Sequence, residues 1–392
     1  MARVSDVAAF SPDRYEETVR EMAARREKVA DKGERVYRET GQLDPLVNIF
    51  GATRVSRNAL LPEGDKFRLV HGPKLPILLA TDGTGSMGEN VEKAFYAMKS
   101  MNAMLQGVRD RYQTDHSFAV MQDVGDSHPV FQMAQFESDE RMAEHVRLLI
   151  PDHNGGDATE DYDIGLCFVR NWVETDIVRY GLKGYFSIVA DQIGRGEVYP
   201  DDVKRHLGHE IQAAISTRAL CRELLKSWHL FYCRVAGNDI YSDRTARWWT
   251  ERLGPGRVIM VPNPDLLAEV QAGLVYVTET ANPTQSGLTE FLLAGGSNSR
   301  ISQRDTREVW SWLAVAEQHF GAQAKLPGFI DIPKPGDLFS HYRHAWPIDH
   351  PRASENVTPG ETPTLTPTSK TADKPKKGKE AIKAGGIDWG KL

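Results

Sequence analysis

Three oxygen-bearing side chains alternate in one short turn, Asp82-Gly83-Thr84-Gly85-Ser86, inside the stretch ATDGTGSMGEN at residues 80–90. Donors spaced in this way can converge on one point, and hard oxygen donors suit Mg²⁺, Mn²⁺ or Ca²⁺. Two of the three are neutral hydroxyls, so a cation held by this turn stays electron-poor and seeks a further acidic ligand from outside. The same residues contain GTGSMG, a match to G-x-G-x-x-G. The dinucleotide reading fails on context. Asp82 stands directly before the first glycine, where a pyrophosphate needs bare N–H groups and a helix dipole. The ribose-binding acid is expected about 20 residues further on, whereas the nearest acid after the second expected strand is Asp123, much farther along. No Gly-Lys-Ser/Thr follows either, which removes the P-loop reading.

Such a turn needs rigid elements around it. LPILLA (75–80) is a short apolar run, read as a strand buried on both faces. Residues 89–112 carry Val91, Phe95, Met98, Met101, Leu105 and Val108 at helical spacing. SFAVM (117–121), VFQMAQF (130–136), GYFSIVA (184–190), WHLFYCRV (228–235) and RVIMV (257–261) read as further strands, and 138–150, 160–173, 209–226 and 243–253 as helices. The turn before 130–136 leaves no room for a crossover, so that strand reads as antiparallel. Strands alternating with helices predict an α/β fold, and right-handed crossovers favour a doubly wound, mostly parallel sheet of about six strands. Flanking it are a helical N-terminal arm with an irregular connector (1–73) and a small helical C-terminal unit (283–350). In the arm the helical stretch is 12–40. In the C-terminal unit it is 307–323, packed down by Trp310 and Trp312. Residues 351–392 form a tail whose Pro, Thr, Ser and Lys content predicts disorder. That tail contains a lysine cluster (Lys370 to Lys383), and its last residues, AIKAGGIDWGKL, read as a short docking motif.

The turn after the first strand resembles the Asp-x-Ser-x-Ser motif of von Willebrand factor type A domains with a metal-ion-dependent adhesion site, with Thr84 in the first hydroxyl place. The form D-x-T-G-S-M is similar to intracellular and bacterial members. The resemblance covers residues 74–282, roughly half of the chain. It implies a second loop, whose counterpart is NGGDATEDYDIGL (154–166), similar to the G-G-G-D-x-P-E-D variant. Asp157 stands there where a threonine is usual, with Thr159 two residues on. It also implies an aspartate after the fourth strand, and SIVADQIGRGE puts Asp191 there. The implied ligand set is therefore Asp82, Thr84, Ser86, Asp157, Thr159 and Asp191, holding a divalent cation, Mg²⁺ first, with Mn²⁺ or Ca²⁺ as alternatives. The implied function is non-catalytic: cation-dependent protein binding, as an adhesion or scaffold subunit of an intracellular assembly. The metal would accept a carboxylate from a protein partner, and an AAA-type ATPase or another assembly component is the expected kind. Plainer roles exist for each acid. Asp82 and Asp157 could cap helices, Glu160 and Asp161 could favour a helix's first turn, and Asp191 could be a turn residue.

Other features narrow the function classes. The formal net charge of −6 argues against a dedicated nucleic-acid binder. The three cysteines, Cys167, Cys221 and Cys233, lack C-x-x-C spacing and read as buried thiols of a reducing compartment. No apolar leader and no span of about 20 apolar residues is present, so a cytoplasmic protein without a membrane segment is expected. The histidines show no metal spacing, and no nucleophile elbow occurs. The first alternative is a metal-dependent phosphoester hydrolase using the same acids and a metal-bound water, with Arg195 as its candidate phosphate contact. The second is an RNA-associated scaffold, against which the missing helical-repeat ring counts. Trp248 and Trp249 lie about 100° apart on an expected helix, one for the core and one for a contact.

Overall fold

The computed structural model describes residues 31–51, 60–63, 66–69, 74–105, 113–126, 128–137, 141–153, 159–173, 175, 183–235, 242–293, 301–321 and 338–340. Six strands make the central sheet: β1 (Lys74–Asp82), β2 (Gln113–Met121), β3 (Phe131–Met133), β4 (Gly184–Ala190), β5 (Trp228–Val235) and β6 (Val258–Val261). Their spatial order is β6-β5-β4-β1-β2-β3. Neighbours run parallel, except β3, which lies antiparallel to β2 as the short turn before it required.

The helices are α1 (Asp31–Thr40), α2 (Asn90–Met104), α3 (Arg141–Leu148), α4 (Tyr162–Trp172), α5 (Thr217–Ser227), α6 (Ser242–Leu253), α7 (Leu267–Glu279), α8 (Gln285–Leu293) and α9 (Gln303–Ala316). Successive strand residues point to opposite faces, and the packing follows that alternation. Ile77, Leu79, Phe118, Val120 and Val189 meet α2, α3, α7, α8 and α9 on one face. Leu78, Ala80, Ala119, Met121, Phe186 and Ile188 meet α4, α5 and α6 on the other. Burial on both faces is why these strands read as unbroken apolar runs. Every residue of α4 is buried. At Gly165 in that helix, a Cβ would stand 2.8 Å from Met121 Cε and 3.0 Å from a Phe131 ring carbon, so glycine sets how closely α4 approaches the sheet.

Three elements depart from the sequence reading. The connector is not wholly irregular: Leu60–Glu63 and Lys66–Leu69 form an antiparallel hairpin, and Leu338–Ser340 adds a third strand to it. That pairing is non-local, and no local periodicity announces it. The helix expected from residue 209 begins at Thr217, where Ser216 Oγ accepts the Ala219 N–H as N-cap, because Ile215–Ser216 is first held extended against Glu197–Val198. Helix α7, unassigned from sequence, is buried along nearly its whole length. The described part of 283–350 shares the sheet's own core, with Leu288, Leu292, Val309, Leu313 and Ala316 all in it. These residues fall within one compact unit, residues 1–356. Of the N-terminal arm, α1 is described and rests on α3 through Lys32 and Glu144, 2.8 Å apart. The earlier part of the arm, the lysine-rich tail and the terminal motif lie outside the described residues. The three cysteines are free and buried. Among the described residues no helix is long and apolar enough to cross a membrane.

Candidate metal centre

The site is built where β1 and β4 end side by side. Thr81 pairs with Val189, so Asp82, one residue beyond Thr81, and Asp191, two beyond Val189, reach the same edge of the sheet. From there the chain turns away on opposite sides, from β1 toward β2 and from β4 toward β5. Asp82 is fully buried. Its Oδ1 accepts the Thr84 backbone N–H at 2.8 Å and the Thr84 hydroxyl at 2.7 Å, and its Oδ2 accepts the Tyr162 hydroxyl. The carboxylate therefore organises its own turn rather than capping α2. Thr84 Oγ1 lies 3.3 Å from Ser86 Oγ, and Ser86 Oγ donates to Asp191 Oδ1 at 2.9 Å. Gly83 makes the turn sterically feasible, because a Cβ there would meet Val120 Cγ1 at 2.7 Å and Gln122 Oε1 at 3.0 Å.

Four side chains thus form a continuous row of oxygens, buried at Asp82 and open to solvent at Ser86. In an octahedron with metal–oxygen distances of about 2.0–2.1 Å, neighbouring oxygens sit about 2.9 Å apart. The separations in the row, 2.7, 3.3 and 2.9 Å, are hydrogen-bond lengths, and the outer two also match that edge. A fifth oxygen, Glu160 Oε1, lies 3.4 Å from Thr84 Oγ1.

The charge balance is lopsided. Burial first, and then the Asp191 charge, pushes the Asp82 carboxyl up to about 7. Burial, followed by repulsion from Asp82, pushes Glu160 up to about 10. Burial also raises Asp191, with the Ser86 hydroxyl and Arg234 opposing that shift. Glu160 Oε2 is buried without a hydrogen-bond partner among the described residues, a costly state for a carboxylate oxygen. A divalent cation at this row would offset the charge of Asp82 and Asp191, with the Thr84 and Ser86 hydroxyls as neutral donors. The row mixes hydroxyls with carboxylates. Among the described residues, no group of three or more His, Cys, Asp and Glu side chains converges by itself in metal-holding geometry.

Of the residues the resemblance implied, Asp82, Thr84, Ser86 and Asp191 lie in one hydrogen-bonded row, and Asp157 lies outside the described residues. Thr159 turns elsewhere. Residues Thr159 and Glu160 pair in parallel with Ile193 and Gly194, and side chains alternate along such an extended segment. Thr159 Oγ1 consequently accepts from Arg195 Nη1 at 3.1 Å, while Glu160 turns its carboxyl toward Thr84. In the sequence the only local signal for Glu160 is the acidic pair ahead of α4, which suggests no more than charge favouring that helix's first turn. Asp161 does not cap α4 through its side chain. Instead it accepts from Arg195 Nε at 2.9 Å and from the Val124 N–H at 2.9 Å. Arg195 also reaches Asp123 Oδ1 at 2.5 Å, and so ties three loops at the rim.

Outer contacts stiffen the Asp191 loop. The Gln192 carbonyl accepts from the Tyr232 hydroxyl at 2.7 Å and from Trp249 Nε1 at 3.0 Å. Buried Asp163 accepts from the Gly196 N–H and the Thr217 hydroxyl. Trp249 is fully buried, stacked on Tyr232 with ring centroids 4.5 Å apart. Trp248 is half-buried, with the Arg252 guanidinium 3.5 Å above its ring.

No family model matches the chain, and no curated protein matches it. Among solved structures it is similar to proximal thread matrix protein 1 from the mussel byssus, at 10% identity and a TM-score of 0.35, covering 53% of this chain and 48% of that one. It is also similar to the pilus adhesin SpaC from Lactobacillus rhamnosus GG in its open conformation, at 11% identity and a TM-score of 0.37, covering 59% of this chain and 33% of that one. The chain thus spans less than half the length of either structure.

Proposed function

We propose that residues 74–282 are a von Willebrand factor A-type domain, doubly wound about the β1–β4 pair, that binds a protein partner through a divalent cation. Asp82 and Asp191 would supply the charge, and Thr84 and Ser86 the neutral oxygens. Mg²⁺ is the first choice of metal, with Mn²⁺ or Ca²⁺ as alternatives. Once bound, the cation would offer a Lewis-acid seat for a carboxylate approaching from the Ser86 side. The observation that carries this reading is the hydrogen-bonded row of side-chain oxygens from Asp82 through Thr84 and Ser86 to Asp191. The role is recognition within a cytoplasmic assembly, with an AAA-type ATPase or a similar assembly component presenting the acidic residue. The hydrolase reading loses its phosphate contact, because Arg195 is held by Asp123 and Asp161.

Thermal unfolding of the full chain tests this reading. It would be run in chelator and then with Mg²⁺, Mn²⁺ or Ca²⁺, on the wild type and on Asp82→Ala. A ligand at about 100 times its Kd stabilises the native state by about 2.7 kcal/mol. The expected result is a rise in melting temperature with cation in the wild type and none in the variant. Equal responses in both proteins would overturn the assignment.

A further inference from the structure

Two basic side chains stand at the opposite edge of the sheet, where β4, β5 and β6 begin. Lys183 directly precedes β4 and Arg257 directly precedes β6. We infer that Arg257 and Lys183 form an anion-binding site for a phosphate dianion, gripped by the open edge of the Arg257 guanidinium. The inference is independent of the cation site at the other end of the strands.

The hydrogen bonds of Arg257 define the open edge. Its Nη1 donates to the Leu230 carbonyl at 3.4 Å. Its Nε and Nη2 have no hydrogen-bond or ion-pair partner among the described residues. Those two atoms carry the parallel N–H bonds that hold two oxygens of one oxyanion. Phe320 and Phe231 lie 4.8 and 5.8 Å from the guanidinium carbon, within cation–π range. Their rings attract the charge but offer no lone pair to these donors. Burial pulls the guanidinium down to about 10, with no acid opposing that shift, and a charge taken from water without a counter-charge is costly. Lys183 is in the same position. Its Nζ donates to the Leu225 carbonyl, and burial, then the Arg257 charge, lowers the ammonium. Burial and the same Arg257 charge lower His319. Glu279, the acid at the end of α7, is engaged by the Tyr185 hydroxyl at 2.8 Å instead. The backbone holds Arg257 in place: its carbonyl accepts the Tyr232 N–H at 2.9 Å. Gly256 before it has φ +74°, and a Cβ there would stand 2.4 Å from His319 Cβ. A phosphate group carries close to two negative charges near neutral pH. It matches Arg257 and Lys183 together, whereas a carboxylate offsets only one of them.

The test uses inorganic phosphate as the probe and chloride at matched ionic strength as the control, in chelator so that bound cations do not contribute. Full-length wild type, Arg257→Lys, Arg257→Met and Lys183→Gln are compared, and circular dichroism confirms folding. Methionine keeps an apolar stem against the two rings without the charge, and lysine keeps the charge without the paired N–H edge. Phosphorus NMR reports broadening of the phosphate line, and melting curves report stabilisation. Wild type is expected to broaden the line and to melt higher in phosphate than in chloride. Both effects should be lost in Arg257→Met and weakened in Arg257→Lys and Lys183→Gln. Lys183→Gln carries the test if neither Arg257 variant folds. Sulfate should reverse the broadening at lower concentration than acetate does. Phosphate also stabilises proteins generally, by exclusion from their surface, so a rise of equal size in every protein would overturn the site. An unbroadened line with wild type would do the same, and acetate as potent as sulfate would overturn the phosphate assignment.

Discussion

The Asp82 carboxyl has hydrogen-bond donors for both oxygens but no cation among the described partners. Its protonation is therefore coupled to folding. Burial lifts it from the ordinary 3.8 to about 7, and Glu160 from 4.5 to about 10. A carboxyl raised in this way holds its proton in the folded state while the unfolded chain has already lost it. Stability must then fall as pH rises across the interval between the two values. Cation-free protein should accordingly melt at higher temperature at pH 5 than at pH 8. Saturating Mg²⁺ should shrink that difference, because it favours the charged carboxylates. Melting curves at both pH values, with chelator and with Mg²⁺, check both expectations. Identical cation-free curves at the two pH values would contradict the first. Asp82, Thr84 and Ser86 were legible in the sequence because one turn carries all three. Glu160 was not, because its direction is decided by a two-residue pairing with Ile193 and Gly194 from a distant loop.

At the scale of elements, the turn depends on β1 and β2 lying so close that only glycine fits between them at position 83. Gly83→Ala puts a methyl group within 2.7 Å of Val120 Cγ1. Overpacking of this kind costs about 1–3 kcal/mol. The Asp82–Thr84 geometry moves with the turn, so the variant should also lose most of its cation-induced stabilisation. Urea unfolding with and without Mg²⁺ separates the two effects, and a full cation response in a destabilised variant would refute the coupling. The parallel strands were readable because burial on both faces makes them continuously apolar. Helix α5 was predicted too long at its start because the preceding segment belongs to a strand pair. Helical propensity does not register such tertiary pairing.

For the whole molecule, the last helices are part of the sheet's core. Leu313 of α9 packs so tightly on Gly273 of α7 that a Cβ at 273 would stand 2.4 Å from Leu313 Cδ1. Leu313→Ala removes a fully buried side chain, and such truncations cost about 2–5 kcal/mol. A single cooperative transition, shifted to lower denaturant, is the expected result. An unchanged main transition would mean that α9 folds apart from the sheet. The hairpin at 60–69 closes with Leu338–Ser340, so segments far apart in the chain meet in one small sheet. A linear reading into arm, domain and C-terminal unit does not capture that closure.

The stack around Trp249 has an optical consequence. Its indole is shielded from water, lies 4.5 Å from Tyr232 and 6.1 Å from Tyr162, and shares the Gln192 carbonyl with Tyr232. Tyr162 in turn donates to Asp82. The proposed cation, settling among the acids, would change the electric field across this chromophore and make it an indicator of binding. Excited at the red edge of indole absorption, wild type should show a wavelength shift in emission on Mg²⁺ addition. Trp249→Phe should abolish the shift while leaving the emission of the other tryptophans in place.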